Sequence, residues 1–403
     1  MKIAYIALRG IPLSDGIVQY TDDIARELVR KGHEVTVYTS KRYGNKSGIY
    51  DDSYRIITVP SLPWGFAEKM SLVMFASVHQ LFKKYDVVHY HAMGPSIFAF
   101  MSRGRATVIQ SHGVEYNRVK FSNVAKKTLK FFEKASVKLG DELLVCSGAL
   151  HDHFFQTYGK ETVLIHNSVN IPAFLEPSAD VLKQYGVEND AYYLYIARIT
   201  EEKGLGYLIR AFRRLKTDKK LIIAGPFDAE HDAYHQSLMQ MVEGDDRIKF
   251  VGYAAGHNKE SLLQGAYAYC LPSETEGFSV ALLEAMSYGK CCIVSDIPNN
   301  LEAIADCGVA FESKNENALY ESLERVECDS KEAKRLGSLA RERVSRHFSE
   351  EMLVAKTERF YAEILERKKQ KRRKGNEETR RIQAAVDHAT TEVYAAGEDC
   401  LVP

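Results

Sequence analysis

The segment 273–289, SETEGFSVALLEAMSYG, has the residues best suited to chemistry in this sequence. Its run of glycine, aromatic and serine residues indicates a loop that leads into a helix, so Glu276 precedes the helix and Glu284 lies on it. About 12 Å of helix axis separates the two residues, at 1.5 Å per residue. Their carboxylates are too far apart to act on one bond, but they suit an extended ligand held at both ends.

The start of this helix adds hydrogen-bond donors between the two glutamates. Backbone N–H groups in the first turn of a helix have no partner within it, so they can hold an anion or a hydroxyl group. Apolar neighbours of Glu284 also indicate that its carboxylate is largely buried and needs a partner. The alternative is an acidic helix start followed by a glutamate that faces solvent. The donors belong to Gly277, Phe278 and Ser279.

Two cations follow a predicted strand over residues 192–197. Arg198 and Lys203 are five positions apart in the loop RITEEKG, and ligands of open α/β sheets bind at the carboxyl ends of strands. From such a loop both side chains can neutralise a diphosphate. The alternative is a pair of solvated surface cations, and only the position after a strand argues against it.

The first loop, residues 9–16, leads from a predicted strand into a helix. Glycine beside a helix start lets the backbone approach an anion, and the helix dipole favours negative charge there. Gly16 is therefore a candidate phosphate contact, although a simple tight turn explains it equally well. The loop lacks the three glycines of the dinucleotide-binding fingerprint, which argues against a nicotinamide-dependent dehydrogenase.

The sequence predicts no metal site and no cofactor. His89, His91 and His112 lie on predicted strands of the first half and lack a fourth ligand at the spacing that zinc requires. No Asp-x-Asp motif follows a strand. Arg198 and Lys203 can take the place of a divalent cation beside a diphosphate.

These candidates need a scaffold, and strand and helix patterns alternate regularly along the chain. In residues 1–173, an apolar strand over 2–8 is followed by a helical pattern over 18–31 and a strand over 34–38. This order indicates parallel strands joined by right-handed crossovers. The rhythm restarts in residues 174–348. The sequence therefore predicts an α/β protein with two Rossmann-like, doubly wound parallel-sheet domains.

The predicted domain boundaries follow the same patterns. Residues 1–173 form one domain and residues 174–348 form the second, while residues 349–366 form one further helix. Residues 367–403 are predicted to be a polar, flexible tail. Seven of the eight residues in 367–374 are basic; such a run is usually solvated, and contact with an anionic surface is the alternative.

Composition excludes several classes of protein. The 403 residues include 54 Lys plus Arg and 54 Asp plus Glu, whereas a dedicated nucleic-acid binder would have a basic excess. A hydrophobic share of 45% provides a core, which argues against disorder. No apolar run is long enough to span a membrane, and the first residues do not resemble a signal peptide. We therefore expect a cytoplasmic protein whose seven cysteines are free thiols.

A strongly basic segment runs from Arg118 to Lys138. It contains seven basic residues, and Glu133 is its only acid. The spacing predicts an amphipathic helix whose apolar side includes Leu129 and Phe131. Such a helix can bind an anionic membrane surface, or it can pack on its own domain with a solvated cationic face. The sequence leaves both interpretations open.

Several motifs together resemble the family 4 glycosyltransferases, which have the GT-B fold of two Rossmann-like domains facing a central cleft. Glu276 and Glu284, with seven residues between them, match the family's signature, and Arg198 with Lys203 matches its diphosphate-binding pair. The resemblance covers about residues 1–365, and it implies that residues 1–173 bind the acceptor, that residues 174–348 bind the nucleotide-sugar donor, and that the helix over 349–366 returns to the first domain. Other segments similar to the family are DVVHYH at 86–91, VIQSHG at 108–113, LLVCS at 143–147, VLIHNSVN at 163–170 and SDIP at 295–298.

The resemblance implies a function and a role for each candidate residue. It implies a retaining glycosyltransferase that moves a sugar from a nucleotide-diphosphate sugar to an acceptor without a metal, with the leaving phosphate taking the acceptor proton. The implied roles are diphosphate binding and charge stabilisation for Arg198 and Lys203, sugar binding and positioning for His112, Glu276, Gly277, Phe278 and Ser279, ribose binding for Glu284, and a phosphate contact for Gly16.

Partners and alternatives follow from the same resemblance. It implies a glycan or lipid-linked acceptor in bacterial surface polysaccharide or glycolipid synthesis, with the enzyme bound peripherally at the inner face of the plasma membrane. Many relatives have a Gly-Gly pair in the first loop where this chain has Asp15 and Gly16, which puts a carboxylate near the expected phosphate. The alternatives are a sugar-nucleotide epimerase or hydrolase of the same fold and a non-catalytic nucleotide-sugar-binding protein.

Overall fold

The computed structural model describes residues 1–6, 8–11, 16–102, 104–114, 116, 123–173 and 176–398. Side chains are described for these residues except residue 66 and residues 384–398. The described chain folds into two α/β units, each built on its own sheet. The predicted fold class, two doubly wound parallel-sheet domains, is confirmed.

The first sheet belongs to the first unit. Its strands are β1 Lys2–Ile6, β2 Glu34–Ser40, β3 Gly48–Ile49, β4 Arg55–Val59, β5 Val87–Tyr90, β6 Ala106–Ser111, β7 Glu142–Val145 and β8 Val163–Leu164. Within the described residues these eight strands lie in the order β3-β4-β2-β1-β5-β6-β7-β8. Neighbouring strands are parallel except β3 and β4, which pair antiparallel. Strand β3 has no counterpart among the predicted strands, because two residues are too few to show a strand pattern.

The second sheet is parallel throughout. Its strands are β9 Tyr192–Ile196, β10 Lys220–Ala224, β11 Ile248–Gly252, β12 Ala268–Leu271, β13 Cys291–Ser295 and β14 Val309–Phe311. In the part of the chain that the structure describes, these six strands lie in the order β11-β10-β9-β12-β13-β14. Cys291 and Cys292 of β13 are both buried in the core.

Helices connect the strands and cover the sheets. They are α1 Gly16–Arg30, α2 Gly65–Leu81, α3 Asn123–Val137, α4 Gly148–Tyr158, α5 Ala179–Gln184, α6 Leu205–Arg214, α7 Ala233–Val242, α8 Gly256–Gly265, α9 Val280–Ser287, α10 Pro298–Ile304, α11 Glu316–Cys328, α12 Ser330–His347 and α13 Glu350–Glu398. Several begin at a residue whose side-chain oxygen accepts from a first-turn N–H group, which replaces a missing backbone partner. Ser147 begins α4 in this way and Ser279 begins α9.

Both faces of the first sheet are covered. Alternate residues of β1 belong to different apolar clusters: Ile3 packs in the cluster that contains α1 and α13 residues, whereas Ala4 packs in the cluster that contains α2 residues. The last helix, α13, thereby returns to the first unit, where its Tyr361 is fully buried. A strand period of two places successive side chains on opposite faces, so a sheet buried on both sides has continuous apolar strands.

Each sheet contains a point at which the strand order reverses. In the first sheet the reversal lies between β1 and β5, and in the second it lies between β9 and β12. The loops that follow the two strands run in opposite directions there, which opens a crevice at their carboxyl ends. Arg198 follows β9 and Glu276 follows β12, so the fold brings these two predicted site residues to one crevice.

The end of α13 corrects one prediction. A helix over 349–366 followed by a polar, flexible tail over 367–403 was expected, but the helix continues through Glu398, and residues 399–403 lie outside the described residues. Residues 367–374 lack an apolar stripe, so periodicity alone does not indicate a helix there. Lysine, arginine and glutamate favour helices without such a stripe, and Arg367 and Lys368 form ion pairs with Glu142 and Asp141 of the first unit.

The basic segment forms the predicted helix within the described residues. The helix α3 begins at Asn123, and Arg118 and Lys120 lie outside the described residues. Of its predicted apolar side, Leu129 is buried, whereas Phe131 faces solvent with 68% of its surface exposed. The single acid, Glu133, is buried and accepts a 2.7 Å hydrogen bond from the Tyr158 hydroxyl.

No helix in the described part of the chain is long and apolar enough to cross a bilayer.

Candidate active site

A cleft of about 420 Å³ lies between the two units, at the carboxyl ends of the sheets. This volume is within the range of small-molecule sites. Every residue that the sequence analysis assigned to the site lines the cleft: Gly16, His112, Arg198, Lys203, Glu276, Gly277, Phe278, Ser279 and Glu284. Their contacts with a ligand stay predictions.

Lys203 and Glu276 form an ion pair inside the cleft. The ammonium Nζ lies 2.5 Å from Glu276 Oε1, and the two side chains are only 12% and 7% exposed. Lys203 ends a short 3₁₀ turn, and Gly204 after it has a φ of 69°. A Cβ at Gly204 would lie 2.0 Å from the Pro272 carbonyl oxygen, so only glycine allows the turn to pack against this loop.

Glu284 has an ion-pair partner of its own. Its Oε1 lies 2.7 Å from the Nζ of Lys259, which lies on α8 and also lines the cleft. The prediction that a largely buried Glu284 carboxylate needs a partner is confirmed, with the side chain 20% exposed, but Lys259 was not among the predicted residues. Helix α8 has no sequence pattern that directs one lysine toward α9, and the pair is formed only by tertiary packing.

Two helix starts meet at the cleft. Gly16 is the first residue of α1, and a Cβ placed on it would lie 3.8 Å from a methyl group of Val280, the first residue of α9. Each helix start carries a partial positive charge, and its first-turn N–H groups have no acceptor within the helix backbone. Together with Arg198, which is exposed in the cleft, they favour an anionic ligand. Asp15, the departure from the family pattern, lies outside the described residues.

The loop before α9 is held by backbone contacts from both units. A Cβ at Gly277 would lie 1.9 Å from the carbonyl oxygen of His112, so glycine alone permits this close approach. Asn167 of the first unit donates to the Phe278 carbonyl oxygen at 2.7 Å. Asn299 of the second donates to the Glu276 carbonyl oxygen at 2.9 Å. Neither asparagine was among the predicted site residues, although Asn167 lies in the segment HNSVN at 166–170 and Asn299 follows SDIP at 295–298.

A second contact joins the units outside the cleft. The Glu302 carboxylate on α10 accepts from the Gly148 N–H at the start of α4, at 2.9 and 3.1 Å, and from His166 Nε2 at 2.7 Å. A carboxylate at a helix start is stabilised by the helix dipole. Charge and hydrogen bonding, as well as apolar packing, thereby stabilise the position of α10 relative to α4.

Three histidines stack beside the cleft. The rings of His89 and His91 are 4.4 Å apart between centroids, and those of His91 and His112 are 5.4 Å apart. Burial lowers the pKa of His89 to about 3 and that of His91 well below its usual range, so both rings are neutral. In the described ranges, no three His, Cys, Asp or Glu side chains are placed to hold a metal ion.

Comparison with known proteins identifies the family. The model of the "Glycosyltransferase Family 4" domain matches residues 14–171, and that of "Glycosyl transferases group 1" matches residues 180–343. An uncharacterized glycosyltransferase of Methanocaldococcus jannaschii is 28% identical over 355 residues, which are 82% of this chain and 90% of that protein. An Escherichia coli UDP-Gal:alpha-D-GlcNAc-diphosphoundecaprenol alpha-1,3-galactosyltransferase is 24% identical over 74% of this chain and 80% of its own length.

Solved structures agree on the fold. HepE from Anabaena, crystallised with UDP and glucose, superposes with a TM-score of 0.72 at 19% identity, over 90% of this chain and all of its own. At that identity the likeness concerns the fold alone. The two matched family domains together cover both α/β units and the cleft between them. The chain therefore belongs to the group 1, family 4 glycosyltransferases and has the GT-B fold.

Proposed function

We propose that this glycosyltransferase takes its sugar from a nucleotide-diphosphate sugar and transfers it with retention of anomeric configuration, without a metal ion. One observation carries the proposal: Arg198, Lys203, Glu276 and Glu284 line a single cleft at the reversal point of the second sheet. A diphosphate needs positive charge and N–H donors, and a sugar and a ribose need carboxylate acceptors. The cleft contains all of these groups.

Lys203 can still bind a phosphate although it is paired with Glu276. An ammonium group has three N–H donors, and Glu276 Oε1 occupies one of them. Lys203 can therefore bridge Glu276 and a phosphate oxygen, while Arg198 neutralises the second phosphate. Fixed positive groups stabilise the charge that builds on the leaving diphosphate without reorganising during the reaction.

The proposed reaction exchanges one bond to the anomeric carbon for another on the same face. The bond from that carbon to the phosphate oxygen breaks, the acceptor oxygen forms the new bond, and the leaving phosphate takes the acceptor proton. Glu276 and the N–H groups before α9 hold the sugar, Glu284 accepts from the ribose, and His112 positions the reaction centre. The protein supplies charge and orientation in this scheme, and no side chain becomes covalently attached.

Product analysis tests retention and separates the alternatives. We expect the anomeric proton of the product, followed by NMR from the first minutes, to keep the configuration of the donor in buffer with excess EDTA. Inversion, or loss of activity in EDTA that added Mg²⁺ or Mn²⁺ restores, would contradict the proposal. Release of free sugar with no transfer to any acceptor would favour the hydrolase, and donor binding without turnover would favour a binding protein.

We also propose that the acceptor is lipid-linked and that α3 contacts the membrane. The outward face of α3 carries apolar side chains among its lysines: Val124 is 76% exposed and Phe131 is 68% exposed. Lys127 and Lys134 are exposed on the same helix. Exposed aromatic and basic side chains together suit the headgroup region of an anionic bilayer, whereas a merely solvated helix needs no exposed phenylalanine.

Liposome co-sedimentation tests this surface. We expect the protein to bind vesicles that contain phosphatidylglycerol and to bind neutral vesicles far less, with binding that weakens as salt rises, because exposed charges are screened. The double variant Lys127→Glu and Lys134→Glu should lose this binding. The matched control is Lys216→Glu with Lys331→Glu, two exposed lysines of the second unit. Equal loss in both variants would mean that only net charge matters and would contradict a specific surface.

A further inference from the structure

The histidines beside the cleft support an inference that rests on the proposed function and adds one residue to it. His91 follows β5, His112 follows β6, and both line the cleft. His91 Nδ1 lies 3.1 Å from His112 Nε2. This hydrogen bond can run in either direction, and the direction decides which nitrogen of His112 carries its proton.

The burial of His91 selects one direction. The ring is 2% exposed and neutral, so it carries a single proton. If Nδ1 accepted from His112, that proton would lie on Nε2, which is buried and has no hydrogen-bond partner among the described residues. A buried N–H group without an acceptor is rarer than a buried lone pair without a donor. The proton therefore lies on Nδ1, and His91 donates to His112 Nε2.

The neighbouring rings hold His91 in place. His89 Nδ1 lies 2.6 Å from the Tyr361 hydroxyl, which in turn donates to the Tyr5 hydroxyl at 3.1 Å. The Tyr5 ring packs against both histidines, at 5.4 Å from His89 and 5.2 Å from His91 between centroids. Since this packing restricts rotation of the His91 ring, its Nδ1–H stays directed at His112.

We propose that His91 is a positioning residue that holds His112 as the neutral tautomer protonated at Nδ1. In this tautomer the single ring proton of His112 lies on Nδ1. Because its Nε2 lone pair is occupied by His91, that nitrogen cannot take the proton of the acceptor hydroxyl. Removal of that proton is thus left to the leaving phosphate, and the role of His112 is limited to positioning the reaction centre.

Nitrogen-15 NMR of the histidine rings tests the tautomer directly and needs no substrate. Two-bond proton–nitrogen spectra of uniformly labelled protein at pH 7.5, assigned with His112→Asn and His91→Asn variants, should show His112 protonated at Nδ1 and unprotonated at Nε2. A His112 ring protonated at Nε2, or at both nitrogens, would overturn the proposal. This result stands whether or not the donor is a nucleotide-diphosphate sugar, so the two proposals can fail separately.

Kinetics test the consequence. We expect His91→Leu to lower kcat by about tenfold to a hundredfold, the usual effect of a misplaced group, while the donor KM changes less than about twofold. His91→Asn keeps an amide donor near the position of Nδ1 and should restore most of kcat. The matched control His79→Leu removes another histidine of the first unit, bonded to the Tyr38 hydroxyl at 3.0 Å, and should leave kcat unchanged. Equal kcat in wild type and His91→Leu, or no rescue by asparagine, would overturn the positioning role.

Discussion

Lys203→Ala should lower kcat by about a thousandfold, because it removes a fixed positive charge from the site where the leaving diphosphate becomes more negative. The substitution also leaves the Glu276 carboxylate without its 2.5 Å partner in a largely buried position. Breaking such a pair costs about 3–5 kcal/mol of stability when one charge remains buried. Activity must therefore be measured well below the unfolding temperature of the variant.

Two controls separate catalysis from stability. The double variant Lys203→Ala with Glu276→Gln removes the uncompensated charge and should regain stability but not turnover. Lys219→Ala breaks a comparable ion pair, 2.8 Å to Glu327, in the same unit but away from the cleft. It should cost stability and leave kcat within about twofold of wild type. A Lys203→Ala enzyme with turnover near that of Lys219→Ala would contradict the site assignment.

Glu284→Ala should abolish most activity through donor binding. A hydrogen bond to a charged group contributes about 1.5–3 kcal/mol, so losing the bonds to two ribose hydroxyls should reduce kcat/KM by about a hundredfold or more. The variant also leaves Lys259 without its carboxylate partner in the cleft. Steady-state kinetics at varied donor concentration, with circular dichroism to verify folding, measure the effect.

The affinity for the free nucleoside distinguishes the Glu284→Ala variant from the Lys203→Ala variant. Binding of the free nucleoside should weaken in Glu284→Ala and remain unchanged in Lys203→Ala, because only Glu284 is assigned to the ribose. Glu274→Ala is the matched control, since Glu274 bonds to Tyr207 and Lys314 just before the cleft loop. Unchanged nucleoside affinity in Glu284→Ala would place the ribose elsewhere.

The sequence predicted the parts of the site that depend on local pattern. Arg198 and Lys203 follow an apolar strand, and the GFS run marks the start of α9, so their place at the carboxyl end of a sheet needed only strand and helix periodicity. The pairing of Lys259 with Glu284 needed the packing of α8 against α9, and the approach of Gly277 to His112 needed the two units to be placed against each other. Neither contact can be predicted from a local sequence pattern.

The end of α13 and the apolar side of α3 both depend on features that hydrophobic periodicity does not show. Residues after 366 lack an apolar stripe, but they continue a helix that rests on propensity and on ion pairs such as Lys368 with Asp141. Phe131 belongs to the predicted apolar side of the basic segment, and the structure places it in solvent among lysines. That exposure is the observation that supports the proposed membrane surface.

Isothermal titration of nucleotide-diphosphate sugars in EDTA tests whether this cleft is the donor site. We expect at least one of UDP-, GDP-, ADP- or dTDP-sugars to bind the wild-type protein and to raise its unfolding free energy by about 2.7 kcal/mol at one hundred times the Kd. The same ligand should bind at least about a hundredfold more weakly to Lys203→Ala and normally to Lys219→Ala. Binding to none of these donors, or equal binding to wild type and Lys203→Ala, would contradict the assignment of this cleft as the donor site.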